Sequence, residues 1–384
     1  MTRVFPLDPV ALTEALVAID SRNPSLVPDG PGEAACAHFL ADVLAGWGFT
    51  VALQTVAPGR LNVVARCGPT GASPLVLNGH LDVVGVDDMT HAPFVPTHRN
   101  GSLYARGATD MKGGIAAMCV AAARAAQAGP LASELIIAAV CDEEFASIGT
   151  AHLLATGLRA DAAIVTEPTR LAIVPAHKGF AWFEVVVRGR AAHGSRYDVG
   201  RDANRLAARV MQAIDRYEQE VLTTRTHPLL GRASIHVPMV AGGTGWSTYA
   251  ADCTIRLERR TLPGETAELV RAEIDTVLSA LRAEDPSLDV AVVQHGAQPP
   301  LAIDPTHPLV HQLVEGAQSE GLTGEIDGLF CWTDAALFAA VGIPAVCFGP
   351  GDIARAHSAT EWVELAQLQQ ATDVLTRVCR AWGR

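Results

Sequence analysis

Short, almost unbroken apolar runs recur along this chain, and each is followed at once by turn residues and acids. Leu75-Val76-Leu77 leads into Asn78-Gly79-His80-Leu81-Asp82, residues 135–141 into Asp142-Glu143-Glu144, Ala163-Ile164-Val165 into Thr166-Glu167-Pro168, and residues 345–348 into Gly349-Pro350-Gly351, with His357 a few positions on. Apolar runs of this length bounded by turn residues predict buried strands. In open α/β sheets the reacting groups collect beyond the carboxyl ends of such strands, so the pattern brings these polar residues together. That many carboxylates cannot converge without compensating cations, and a bound metal centre is the first implication.

Helical spacing of apolar positions covers residues 8–20 and 33–46, the second opened by Pro31-Gly32 and closed by Gly46 and Gly48, and two β-like runs follow at 50–56 and 61–66. The Ala-rich segment 111–127 predicts another helix. Helices alternate with the strands above, which is the rhythm of an α/β layered domain. Between 179 and 295 the rhythm becomes strand (180–188), helix (203–221), strand (233–240), strand (249–260), helix (265–283), strand (288–294). This βαββαβ order is the split βαβ, ferredoxin-like unit. Metal-type residues lie on both sides of it. We therefore expect an insertion at 179–295 inside a discontinuous catalytic domain of residues 1–178 and 296–384.

Composition adds bounds. A chain of 384 residues with 49% hydrophobic and 18% charged residues can bury a sizeable core, and two domains are the natural expectation. The net charge of −12 and the lack of a basic stripe argue against nucleic acid as a partner. Eight scattered cysteines form no C-x-x-C pair, which reads as reduced thiols in a cytoplasmic protein. Asp8 and Glu14 interrupt what a signal peptide would need, and no stretch holds eighteen apolar residues, so neither secretion nor a membrane is expected.

The strand-end residues carry the chemistry. His80 and Asp82, two apart on an extended segment, project to one side, which suits a ligand and its orienting partner. Asp110 precedes the 111–127 segment and on its own reads as an N-cap; the glycine-flanked run Arg106-Gly107-Ala108-Thr109-Asp110-Met111-Lys112-Gly113-Gly114 raises it to a carboxylate able to bridge two cations. Asp142-Glu143-Glu144 follows a buried run, where three adjacent acids repel unless they have different tasks: Glu144 as ligand, Glu143 as proton acceptor. Glu167 and His357 gain weight only from their place at strand ends.

Together, Gly79-His80-Leu81-Asp82, Gly107-Ala108-Thr109-Asp110-Met111-Lys112-Gly113, Asp142-Glu143-Glu144, Thr166-Glu167-Pro168 and Gly349-Pro350-Gly351 through His357 resemble, in order and over nearly the whole chain, the signatures of the dizinc aminoacylase and carboxypeptidase family. The resemblance implies a zinc-peptidase-like catalytic domain with a central mixed sheet flanked by helices, and an inserted domain that acts as a lid and forms a homodimer. It implies two zinc ions, with cobalt or manganese as substitutes, one held by His80 and Glu167, the other by Glu144 and His357, with Asp110 bridging and a cis peptide after it. It further implies Glu143 as general acid/base, Asp82 orienting His80, His193 in Arg190-Ala191-Ala192-His193-Gly194-Ser195 as an oxyanion stabiliser reaching across the dimer, and Arg260, Gly349 and Gly351 as substrate contacts.

The implied reaction is hydrolysis of an N-acyl-L-amino acid, with N-acetylornithine the leading substrate, N-succinyl-diaminopimelate the next, and a dipeptide or carboxypeptidase substrate after that. A non-catalytic binding protein would have no need of Glu143. Three features depart from the family pattern: Ser247-Thr248-Tyr249-Ala250 replaces an Asn-x-x-Pro segment, Glu258 replaces an aspartate, and Thr90-His91-Ala92-Pro93-Phe94 lacks a tryptophan.

Overall fold

The computed structural model describes residues 4–384. Four of its strands, Leu135–Val140, Leu75–His80, Ala162–Val165 and Ala345–Cys347, lie side by side in that order, all parallel and all fully buried. Burial on both faces is why they read as continuous apolar runs rather than as alternating ones. Antiparallel strands Arg60–Cys67 and Thr50–Ala57 extend one side, and Ile173–His177 pairs antiparallel on the other, giving a mixed sheet. Register then fixes chemistry: His80 faces Val140 and Asn78 faces Val165, so Asp142 comes level with Asp82 and Glu167 level with His80.

Helices flank this sheet, which is the α/β class expected. Pro9–Val17 starts on an Asp8 side chain that accepts from Val10 N–H, with proline in the first turn. It stops three residues before the expected end, where the fully buried Lys112 ammonium takes the carbonyls of Leu16 and Ile19. Ala34–Gly46, Gly113–Gln127, Pro308–Ser319 and Leu365–Ala381 bury Leu40, Ile115, Leu313 and Leu375 in one core with the sheet residues Leu75, Leu77 and Ile137. Glycines allow the closest approach. A Cβ on Gly114 would come within 2.0 Å of Thr166 O, and one on Gly349 within 2.4 Å of the same oxygen. The Thr166-Glu167 backbone is thus gripped between two residues without side chains.

The chain divides into two compact units, residues 4–175, 303–327 and 333–384 in one, and residues 176–302 and 328–332 in the other. These edges differ from the expected 178/179 and 295/296. Strand Asp289–Gln298 pairs with Gly179–Arg188 from end to end, which carries the second unit past 295. Residues 328–332 join it because Leu329 O accepts from Lys178 N–H and Trp332 Nε1 donates to Pro299 O.

In that second unit, strands Ser234–Gly242, Asp252–Thr261, Gly179–Arg188 and Asp289–Gln298 form an antiparallel sheet in this order. With helices Ala203–Glu220 and Ala267–Glu284 the connectivity is βαββαβ. Period-two burial is clear along Gly179–Arg188, where Ala181, Phe183, Val185 and Val187 are buried against Val210, Ile274 and Leu278 while Trp182 and Arg188 are exposed.

Candidate metal centre

His80 closes its strand with its ring buried, and the two nitrogens meet opposite environments. Nδ1 lies 3.0 Å from the main-chain carbonyl of Asp82. A carbonyl only accepts, so Nδ1 carries the hydrogen, and in the neutral ring Nε2 presents a lone pair. That lone pair faces three carboxylates: Asp110 Oδ1 at 3.0 Å, Glu167 Oε1 at 3.9 Å and Glu143 Oε2 at 3.9 Å. Positive charge has to lie between them, as a proton or as a metal ion. The orienting contact expected from the Asp82 side chain is thus made chiefly by its main chain, since Asp82 Oδ1 stands 3.7 Å from Nδ1.

Asp110 sits in a wide turn, residues 108–112, ahead of the helix that begins at Gly113; its own φ of −122° is extended, its side chain caps nothing, and the Asp110–Met111 peptide is cis. The carboxylate is therefore available. Its Oδ1 faces His80 and its Oδ2 lies 3.3 Å from His357 Nε2. A buried pair fixes the turn from behind: Glu361 Oε1 accepts from Thr109 N–H at 2.9 Å and Asp110 N–H at 3.1 Å, while Glu361 Oε2 takes Arg106 Nη1 at 2.7 Å.

Glu143 and Glu144 follow Asp142, whose φ of 68° is left-handed. Their main-chain N–H groups donate to the Asp82 carboxylate, at 3.1 Å to Oδ1 and 3.2 Å to Oδ2. Glu144 then lies 3.0 Å from His357 Nε2. Two sets of potential ligands result, His80 with Asp110 and Glu167, and Asp110 with Glu144 and His357, the ligand atoms of each set lying within 4.8 Å of one another. Asp110 belongs to both sets. Glu143 belongs to neither.

Electrostatics tests whether cations fit. Burial, with the charge of Asp110 next, pushes the Glu144 carboxyl up to about 7 and the Glu167 carboxyl well above the usual range. Burial does the same to Glu143, against the opposing effect of His80. Burial would likewise raise Asp110, but hydrogen bonds from His357 and His80 hold it below its ordinary value. His357 is raised to about 10 by its bonds to Asp110 and Glu144; for His80, burial is outweighed by Asp110 and its acidic neighbours, and it too is raised. Protons would thus have to occupy this cluster wherever cations do not. Oxygen and imidazole donors in two sets with a shared carboxylate fit two divalent transition-metal ions.

The remaining sequence-derived residues belong to neither ligand set. Gly349 N–H donates to Thr169 Oγ1 and Gly351 N–H to Gln367 Oε1, so the amides of these two expected substrate contacts are engaged within the fold. His193 and Arg260 belong to the second unit. Ser195 N–H donates to His193 Nδ1, which leaves the hydrogen of the neutral ring on the exposed Nε2. Arg260 Nε is paired with Glu258, which also accepts from Trp182 Nε1, and its guanidinium lies 5.7 Å from the Phe180 ring centre. Sequence reasoning gave no role to Asn23, Glu33, Arg60 or Glu361, and quoted Arg106 without one. Their only local signal was a charged or amide residue beside an apolar run.

Comparison with known proteins agrees with this geometry. Residues 76–381 match the model of peptidase family M20/M25/M40. The chain is 32% identical over 359 residues to the acetylornithine deacetylase of Salmonella arizonae, covering 88% of this chain and 89% of that one. Its fold resembles that of an M20 metallo-carboxypeptidase of Sulfolobus solfataricus (TM-score 0.80, 18% identity, 98% and 99% of the two chains) and of a dinuclear metal-binding M20 peptidase of Bacillus subtilis (TM-score 0.74, 15% identity, 97% and 96%). The protein belongs to peptidase family M20/M25/M40, and it is an enzyme of this class of amide-bond hydrolases. No helix among the described residues is long and apolar enough to cross a membrane.

Proposed function

We propose that the protein removes the acyl group from an N-acyl-L-amino acid, with N-acetylornithine as the leading substrate, using two zinc ions held by His80, Glu167, Glu144, His357 and the shared Asp110. One observation carries this reading: a carboxylate common to two ligand sets, with a further buried carboxylate, Glu143, beside them but in neither. The similarity to an acetylornithine deacetylase supports the choice of substrate.

Two such ions, when bound, polarise the scissile carbonyl and lower the pKa of water. Glu143 accepts the proton of the attacking water and returns it to the leaving amine, a role that suits a carboxyl whose proton affinity burial has raised. Asp82 keeps Glu143 and Glu144 in place through their main-chain N–H groups. His193 of a second copy donates from Nε2 to the developing oxyanion, and Arg260 takes the substrate carboxylate after giving up part of its hold on Glu258. The second unit acts as lid and dimerisation domain of a cytoplasmic homodimer.

The test is a panel of N-acetyl, N-succinyl and N-formyl amino acids and dipeptides offered to metal-loaded protein. Acetylornithine should be cleaved fastest. Preference for succinyl-diaminopimelate or for dipeptides would move the assignment within the family, and a fully metallated protein inert on all of them would favour a binding role.

A further inference from the structure

Behind the 142–144 turn lies a buried polar chain of which the reaction described above uses only Asp82. Asn23, Glu33, Arg60, Asp82 and Asp142 are each no more than 7% exposed. Arg60 grips both oxygens of Glu33, Nε to Oε2 at 2.7 Å and Nη2 to Oε1 at 2.6 Å, and Nη2 also donates to Asp142 Oδ1 at 2.8 Å. Asn23 Nδ2 donates to two carboxylates at once, Asp142 Oδ1 at 3.0 Å and Asp82 Oδ2 at 2.8 Å. Glu33 Oε1 closes the loop by accepting from Asp142 N–H at 3.2 Å.

These contacts have one common effect. Asp142 is clamped from its side chain and from its main chain, in a left-handed conformation uncommon for non-glycine residues and reached more readily by aspartate than by most. Asp82, held by the same Asn23 amide, accepts the next two N–H groups of the turn. The direction in which the Glu143 and Glu144 side chains leave the backbone is set by this arrangement. Asn23 is itself located by main-chain bonding, its N–H to Val83 O, in a loop whose Ser21 hydroxyl donates to Leu81 O.

We propose that Asn23 and Arg60 are positioning residues of the metal centre, which act through Asp142 and Asp82 to aim Glu144 at a metal ion and Glu143 at the water. The inference rests on the reading of the site as a dinuclear hydrolase centre. Its test reads metal as well as turnover.

The variants are Asn23→Ala, Arg60→Gln, Arg60→Lys and, should the first two fail to fold, Asp142→Asn, which keeps the acceptor oxygen but removes its charge. Cobalt(II) affinity is measured by chelator competition together with the visible d–d spectrum, and kcat and KM are measured on fully loaded protein. Groups that orient metal ligands from behind are worth about 10–100-fold in metal affinity or activity. We expect a loss of that size in cobalt affinity for one of two ions and in kcat, with an altered d–d band and KM moving less than about three-fold. Arg60→Lys should recover part of what Arg60→Gln loses, because it restores charge without the two-point grip. Lower melting temperature with wild-type cobalt affinity, spectrum and kcat per loaded site would overturn the proposal and leave these residues a purely structural role. If loaded wild-type protein cleaves no acyl-amino acid, the functional reading fails, while the cobalt measurements still decide the positioning role.

Discussion

Replacing Glu143 by glutamine removes one charge and almost no volume. Glu143 stands outside both ligand sets, and its main-chain N–H, bonded to Asp82 at 3.1 Å, is untouched by a change of side chain. Metal content should therefore persist. Repulsion inside the cluster should even relax, since Glu143 and Glu167 both approach His80 Nε2 to 3.9 Å. Turnover is another matter. General acid–base catalysis contributes about 10²–10⁴-fold, and here one group serves water activation and amine departure in sequence, which points to the upper end. A loss of about 10⁴ in kcat corresponds to about 5 kcal/mol of barrier. Because Glu143 is not a binding group in this scheme, KM should stay within a few-fold. The assay is release of free amine from the best substrate of the panel, with metal stoichiometry determined on the same sample. Activity within ten-fold of wild type at full metal loading would refute the role assigned to Glu143.

Other outcomes follow from the same geometry. Asp110→Asn removes the charge common to both sets, so bound metal should fall from two ions per chain to one or none, as counted by elemental analysis after dialysis. Glu361→Gln leaves the Arg106 guanidinium buried without its carboxylate, and with the Asp110 turn loosened it should cost about 3 kcal/mol in denaturant unfolding and weaken metal binding. In metal-free protein the pH dependence has a definite sign. Glu144, raised to about 7, binds more protons folded than unfolded between its ordinary range and 7, so stability falls as pH rises through that interval. His357, raised to about 10, gives stability that is complete below its ordinary value and is lost as pH climbs toward 10. Melting temperature of the metal-free protein should accordingly drop from pH 5 to pH 9, and saturating zinc should flatten or reverse that slope, because ligands must be deprotonated to bind. A rising melting temperature for the metal-free form would contradict these shifts.

What the sequence alone determined here is local. Burial is written into each run by its own side chains, so the strands ending at His80, Val140, Val165 and Cys347 were legible, and with them the carboxyl-end placement of His80, Asp82, Glu143, Glu144 and Glu167. Asp110 by itself reads as a helix cap; the glycine-flanked run 106–114 and then the motif resemblance raised it to a ligand, and only the wide turn at 108–112 shows that its side chain caps no helix. The tertiary structure decided the rest because the deciding contacts join residues remote along the chain. Arg60 meets Glu33 at a separation of 27 positions and Asp142 at 82, and Glu361 reaches Asp110 N–H across 251. Nothing in the neighbourhood of these residues distinguishes them from ordinary surface charges. Sheet register also had to be seen: the pairing of Asn78 with Val165 brings Glu167 level with His80, and a shift by one residue would have turned the carboxylate to the opposite face.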